Sequence, residues 1–192
     1  MQQPREMRKE PTDSELVAAL KGGDRAAFEE LFQRNQRRVY SVALNFFGGR
    51  CHAAEDVTQQ VFLKLFRNAG KFRGDAKVST WLYRITINLC IDEQKRRKRF
   101  SFFGDLFGSG ESLPDPPREN SLGSFELEDE VRRAVGELKP VFRLAIVLKH
   151  VEGMSYREMA EVLECSEGTV ASRLSRGHKQ LAEMLKHLRN ER

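Results

Sequence analysis

Apolar residues recur at helical spacing through almost the whole of this 192-residue chain, and no segment alternates apolar and polar residues as a half-buried strand would. A chain patterned in this way buries its apolar surface by packing helix on helix, so the expected fold class is all-α. The pattern breaks once. Residues 99–125 collect Gly104, Gly108, Gly110, Pro114, Pro116 and Pro117 among several serines, residue types that interrupt helix and strand alike. The sequence therefore predicts two small helical domains, 1–98 and 126–192, joined by a flexible linker over 99–125, each long enough to bury a workable core.

In the first domain, Thr12 and Glu15 have capping-box spacing ahead of Leu16, Val17 and Leu20, and Gly22-Gly23 closes that short helix. Asp24 can cap a longer helix through Phe28, Leu31, Phe32, Val39, Val42, Ala43 and Phe46. A third is expected from about Ala53, with Val57, Val61, Phe62 and Leu65 on one stripe, and a fourth, capped by Ser79, runs through Trp81, Leu82, Ile85, Leu89 and Ile91 into a basic tail at 95–99.

The second domain carries the most specific signal. After a helix over 126–137 and a second opened by Pro140 and stopped by Gly153, Ser155 and Glu158 again have capping-box spacing, flanked by Met154 and Met159 as a hydrophobic staple. Ser166 can cap a following helix whose apolar stripe is Val170, Leu174, Leu181 and Leu185. A brief helix, a tight turn and a longer helix make a helix-turn-helix. The outward face of the longer helix offers Thr169, Ala171, Ser172, Arg173, Ser175, Arg176 and Lys179, with His178 near its edge and no acidic residue from Thr169 to Leu181. Arginines can pair with guanine edges or phosphates and hydroxyls can reach either, so the face suits a DNA groove.

Charge agrees with a polyanionic partner. The net charge is +5, and residues 1–98 hold the excess, with 19 Lys/Arg against 12 Asp/Glu. No apolar run approaches the roughly 20 residues that span a bilayer, and the N-terminus lacks the apolar stretch of a signal peptide. A cytoplasmic protein without membrane insertion is expected. Cys51, Cys90 and Cys165 are far apart and make neither a metal-ligand spacing nor a disulfide framework. No P-loop, GxSxG or HExxH is present. The chain is thus expected not to be an enzyme and to need no metal, cofactor or small-molecule ligand.

The segment MSYREMAEVLECSEGTVASRLSRGHKQL resembles the C-terminal helix-turn-helix with which sigma factors of the sigma-70 superfamily read the minus-35 promoter element. Independently, AEDVTQQVFLKLFRN and KFRGDAKVSTWLYRITINLCIDEQKRR resemble the core-binding and minus-10-binding helices of the extracytoplasmic-function group. Both blocks stand in the family's order. The resemblance implies a sigma factor whose partners are core RNA polymerase, promoter DNA and an anti-sigma factor.

By position it implies that Asp56, Gln59, Gln60 and Lys64 meet the polymerase, that Asn88 contacts a base of the melted minus-10 element, and that Phe72 and Arg73 shape the pocket for a flipped base. Arg84 and the Lys95, Arg96, Arg97 run would hold phosphates, and Thr169, Ala171, Ser172, Arg173, Ser175, Arg176 and Lys179 would read the minus-35 element. Trp81 reads first as core, second as a base-stacking ring. The linker acids Asp105, Glu111, Asp115 and Glu119 fit a segment threaded through polymerase channels, while Phe100, Phe102, Phe103 and Phe107 fit either an added contact with a partner or packing on the first domain. Two departures qualify the match. Gln60 stands where an acidic residue is usual, and Ala171 and His178 stand where basic residues are frequent. A stand-alone DNA-binding regulator and a sigma-like decoy are the competing readings: the first would need neither the Asp56 face nor the Asn88 helix, and the second would leave the basic recognition face of the helix-turn-helix unused.

Overall fold

The computed structural model describes the backbone of residues 10–107 and 124–190 and the side chains of residues 10–100 and 127–188. Among these, every regular element is a helix: α1 (Asp13–Lys21), α2 (Arg25–Phe46), α3 (Cys51–Asn68), a short 3-10 turn (Ala69–Lys71), α4 (Val78–Phe107), α5 (Ser124–Glu137), α6 (Pro140–His150), α7 (Tyr156–Leu163), α8 (Glu167–Met184) and α9 (Lys186–Asn190).

The caps form where the sequence places them. Thr12 Oγ1 accepts from the Glu15 amide at 3.3 Å while Glu15 returns a carboxylate oxygen to the Thr12 amide at 2.6 Å, and Asp24 Oδ1 accepts from Ala26 and Ala27. Between them Gly23 takes φ +91°, which a side chain would resist. The first core is built on Leu31, Val42 and Phe46 of α2 and Val57, Val61 and Leu65 of α3, all fully buried. Phe32 and Phe62 lock these helices edge to face, with centroids 4.7 Å apart. α4 lays Leu82, Ile87 and Cys90 against them. Three buried polar groups of this core bond within their own helices: Asn35 donates to Leu31 O, Thr58 to Ala54 O and Thr86 to Leu82 O.

In the second core, α6 is central, with Leu144 through Leu148 all buried. Met154 and Met159 are both buried beneath the start of α7, whose capping box is complete: Ser155 Oγ accepts from the Glu158 amide at 3.2 Å and Glu158 Oε2 from the Ser155 amide at 2.9 Å.

Several details differ from the sequence expectation. α3 begins at Cys51 rather than near Ala53, and α4 begins at Val78, with the Trp81 amide on Lys77 O, so Ser79 lies inside the first turn instead of capping it. α4 also runs past Lys98 to Phe107, and α5 already begins at Ser124, so helix enters both ends of the 99–125 stretch. One glycine inside a helix costs only about 1 kcal/mol, and Gly104 is the only glycine in that extension; the prolines come later. A short α9 follows α8. Phe100 is 68% exposed, whereas the side chains of Phe102, Phe103, Asp105 and Phe107, and the residues Glu111, Asp115 and Glu119, lie outside the described residues.

The largest addition to the sequence reading is that the two domains pack on each other. α5 and α6 rest on α2, and α7 rests on α4. Gly48 and Gly136 let the two backbones meet: a Cβ on Gly136 would come within 2.8 Å of Gly48 Cα. Beside them the buried Arg143 donates across the seam to Phe46 O at 2.8 Å and within its own domain to Leu138 O at 2.7 Å, with its guanidinium over the Phe46 ring.

Candidate functional site

Three surfaces are arranged by these helices. On α3, burial of Val57, Val61 and Leu65 turns Asp56, Gln59, Gln60 and Lys64 outward, and all four are exposed. The structure adds two apolar residues to that face: Leu63 is 52% and Phe66 48% exposed, the latter edge to face with Phe28. The sequence held the signal for Leu63, which stands off the buried stripe at three and four residues from Gln60 and Gln59.

On α4, Trp81, Arg84 and Asn88 stand at positions i, i+3 and i+7 and share one side of the helix. Asn88 is exposed. Trp81 is half-buried at the rim of the core, where its ring lies 5.0 Å from that of Phe72 at a 32° tilt, so it joins the aromatic surface before α4 rather than the core interior. Lys21 fixes this loop by donating to Phe72 O at 2.5 Å, and Arg73 beside it is exposed.

The cations expected to hold phosphates are less free than their sequence suggests. Arg84 donates to Glu161 O at 2.7 Å and pairs with Glu164 at 3.3 Å, both from α7 and its C-cap. Arg96 and Arg97 both close on Glu93, which is only 6% exposed. Burial raises the Glu93 carboxyl, but the Arg96 and Arg97 guanidiniums outweigh it and hold the group below the usual carboxylate range. Lys95 is exposed. Glu93 was legible as a partner at i, i+3 and i, i+4 from the two arginines.

On α8, Ser166 caps the helix through the Thr169 amide, and Val170, Leu174 and Gly177 are buried while α8 packs against α6. Ser172, Ser175, Arg176 and Lys179 are exposed; Thr169, Ala171 and Arg173 are half-buried. Arg173 leans back on the Cys165 sulfur at 3.7 Å and Ser172 Oγ donates to Thr169 O. The turn before α8 is made by Glu164 at φ +50°, the one non-glycine in the left-handed region among the described residues. Among the described residues no group of three or more His, Cys, Asp or Glu is placed to hold a metal, and no helix is long and apolar enough to cross a membrane.

Comparison with known proteins finds matches in both halves of the chain. The family described as sigma-70 region 2 matches residues 31–100, and that described as sigma-70, region 4, matches residues 128–181. The chain is 35% identical over 183 residues to the ECF RNA polymerase sigma factor SigM of Mycobacterium tuberculosis, covering 94% of this chain and 88% of that one. It is 34% identical to the ECF RNA polymerase sigma-E factor of Escherichia coli, covering 91% and 95%. Among solved structures it is similar to CnrH in complex with the cytosolic domain of CnrY, with a TM-score of 0.65 and 26% identity over 91% of this chain and 97% of that one. The sigma factor RpoE of Bartonella quintana, in complex with the anti-sigma factor NepR, shares the fold at a TM-score of 0.65, with 24% identity over 83% and 96% of the two chains. With relatives of this identity matched along nearly their whole length, the chain belongs to the extracytoplasmic-function group of RNA polymerase sigma factors in the sigma-70 family.

Proposed function

We propose that this chain brings core RNA polymerase to promoters by dividing the task among its three surfaces. The α3 face of Asp56, Gln59, Gln60 and Lys64, with Leu63 between them, meets the polymerase. Residues 1–98 also carry the minus-10 surface, where Asn88 contacts a base, Phe72 and Arg73 border the pocket for an unstacked base, and Arg84 and Lys95 to Arg97 hold phosphates. Residues 126–192 read the minus-35 element through α8, with Arg176 and Lys179 as its outermost cations.

The observation that carries this reading is the outward face of α8. Its buried stripe is spent on α6, and the opposite side presents hydroxyls and basic groups in the composition that a major groove accepts. A protein inhibitor is a further partner, supported by the likeness to CnrH, which was solved with the cytosolic domain of CnrY.

Run-off transcription with purified core polymerase and a promoter library tests the proposal. Initiation at defined sites that depends on this chain is the expected result. DNA binding without initiation would favour a stand-alone regulator, and neither activity would favour a decoy. Within that assay, Arg176→Ala weakens minus-35 binding while sparing polymerase association, and Asp56→Ala with Gln60→Ala does the reverse.

A further inference from the structure

We infer that His150 and His178 form a surface site for a transition-metal dication that takes imidazole nitrogens at right angles, the class of Ni2+ and Cu2+, and that the bound ion clips α8 to α6. Metal binding there is independent of the promoter-reading role proposed above.

The packing of α8 on α6 brings the pair together from positions 28 residues apart. The two helices approach closely at Gly177, where a Cβ would meet Ile146 Cγ1 at 3.0 Å. His150 stands one turn beyond Ile146 on the same side of α6, and His178 directly follows Gly177 on α8. Their rings meet with centroids 5.0 Å apart and Nε2 atoms 2.8 Å apart, and both residues are exposed. The other two of the four histidines each face a carboxylate instead: His52 Nδ1 lies 3.7 Å from Glu55 and His187 Nε2 lies 2.5 Å from Glu130.

Two nitrogens bound to one metal at right angles, with bonds of about 2.0 Å, stand about 2.8 Å apart; at tetrahedral positions they stand about 3.3 Å apart. The observed 2.8 Å therefore fits a square-planar or octahedral ion better than zinc in its usual geometry. Because both rings reach solvent, each can tilt until its lone pair points at a common centre, and water fills the remaining positions. In the metal-free chain one Nε2 carries a proton that the other accepts. On binding, that ring carries its proton at Nδ1 instead, so both rings stay neutral and coordinate through Nε2. The local charge permits a cation. His150 is the last residue of α6, the end at which the helix dipole favours positive charge. Its neighbour Lys149 is engaged elsewhere, donating to Met154 O at 3.1 Å with its ammonium 5.5 Å over the Tyr156 ring.

Ni2+ is the probe, since Cu2+ can oxidise the free thiols of Cys51, Cys90 and Cys165. The untagged full-length chain is titrated with NiCl2 by equilibrium dialysis at about pH 7.5, where an ordinary imidazole is neutral. Beside it stand His150→Gln, His178→Gln and, as a control, His52→Gln combined with His187→Gln, each checked for folding by circular dichroism without metal. The parent and the control should bind one Ni2+ per chain, and each single variant should bind it at least about tenfold more weakly, because a chelate has lost one of its two ligands. Excess NiCl2 should raise the melting temperature of the parent and the control by about 5 °C and leave both single variants unmoved, since an ion held across α6 and α8 is bound only by the folded chain. In the parent itself, Ni2+ should slow diethylpyrocarbonate modification of His150 and His178, read by mass spectrometry, without protecting His52 or His187. Affinity or a melting shift retained in either single variant would overturn the inference. So would a parent that binds no Ni2+, that melts at the same temperature with it, or whose four histidines are protected alike.

Discussion

His178 of α8 meets His150 of α6 ring to ring, with the two Nε2 atoms 2.8 Å apart. One nitrogen donates and the other accepts, an arrangement that a proton on both rings destroys. Burial, followed by the neighbouring His178 and Lys149, holds the His150 imidazole below its ordinary 6.5. A histidine lowered in this way binds fewer protons folded than unfolded, so its contribution is present above 6.5 and is lost as the pH falls below it. The melting temperature should therefore drop between about pH 7.5 and pH 5.5, and His150→Gln should show a smaller drop over the same window. Scanning calorimetry at the two pH values checks it.

Glu93 restrains two cations at the basic end of α4, Arg96 and Arg97. Its replacement by Gln should cost about 1–2 kcal/mol of stability, since three charge-assisted bonds from two arginines to a buried carboxylate are weakened. The same change frees Arg96 and Arg97, so nonspecific DNA affinity should rise and its logarithmic salt dependence should steepen by about one to two phosphate contacts. A titration across ionic strength reads both effects; a flatter salt dependence would count against Glu93 as the restraint.

Arg143 is the buried cation of the seam. Burial, and then the nearby Arg50, push it down to about 10, still charged at neutral pH. Arg143→Ala leaves Phe46 O and Leu138 O without their donor and should destabilise the chain by about 2–4 kcal/mol. Arg143→Lys should recover only part of this, because a single ammonium lacks the fork that reaches both carbonyls. Urea unfolding of the three proteins gives the comparison.

Gly177 sets how closely α8 lies on α6. A Cβ there would sit 3.0 Å from Ile146 Cγ1 and 3.2 Å from its Cδ1. Gly177→Leu should therefore lift α8, lowering stability by about 1–3 kcal/mol and weakening minus-35 binding with polymerase association retained. Equal loss of both activities would indicate collapse of the whole chain rather than a displaced helix.

Much of this architecture follows from local chemistry. The Thr12/Glu15 and Ser155/Glu158 boxes, the Asp24 cap and the Val57/Val61/Leu65 stripe depend on residues within one or two turns of each other, where sequence spacing is spatial proximity. The surface positions Asn88, Arg176 and Lys179 are exposed for the same reason. What escaped the sequence depends on distance along the chain. Arg84 finds its acceptors 77 residues away at Glu161, and Arg143 finds Phe46 97 residues away. No periodicity marks those pairings. Gly48 follows α2 at φ +66° and Gly136 lies inside α5; the close approach of their backbones is a pairing that neither local sequence marks.

Glu164 holds the left-handed turn of the helix-turn-helix with a residue ill-suited to it. A side chain in that conformation is disfavoured by about 1–2 kcal/mol relative to glycine, so a selection for heat resistance alone would be drawn to Glu164→Gly. The protein recovered would melt later and lose the carboxylate that faces Arg84. Hardening the turn and loosening the grip between the domains are here the same substitution, and a thermostable version of this chain made at that position would be a less restrained one.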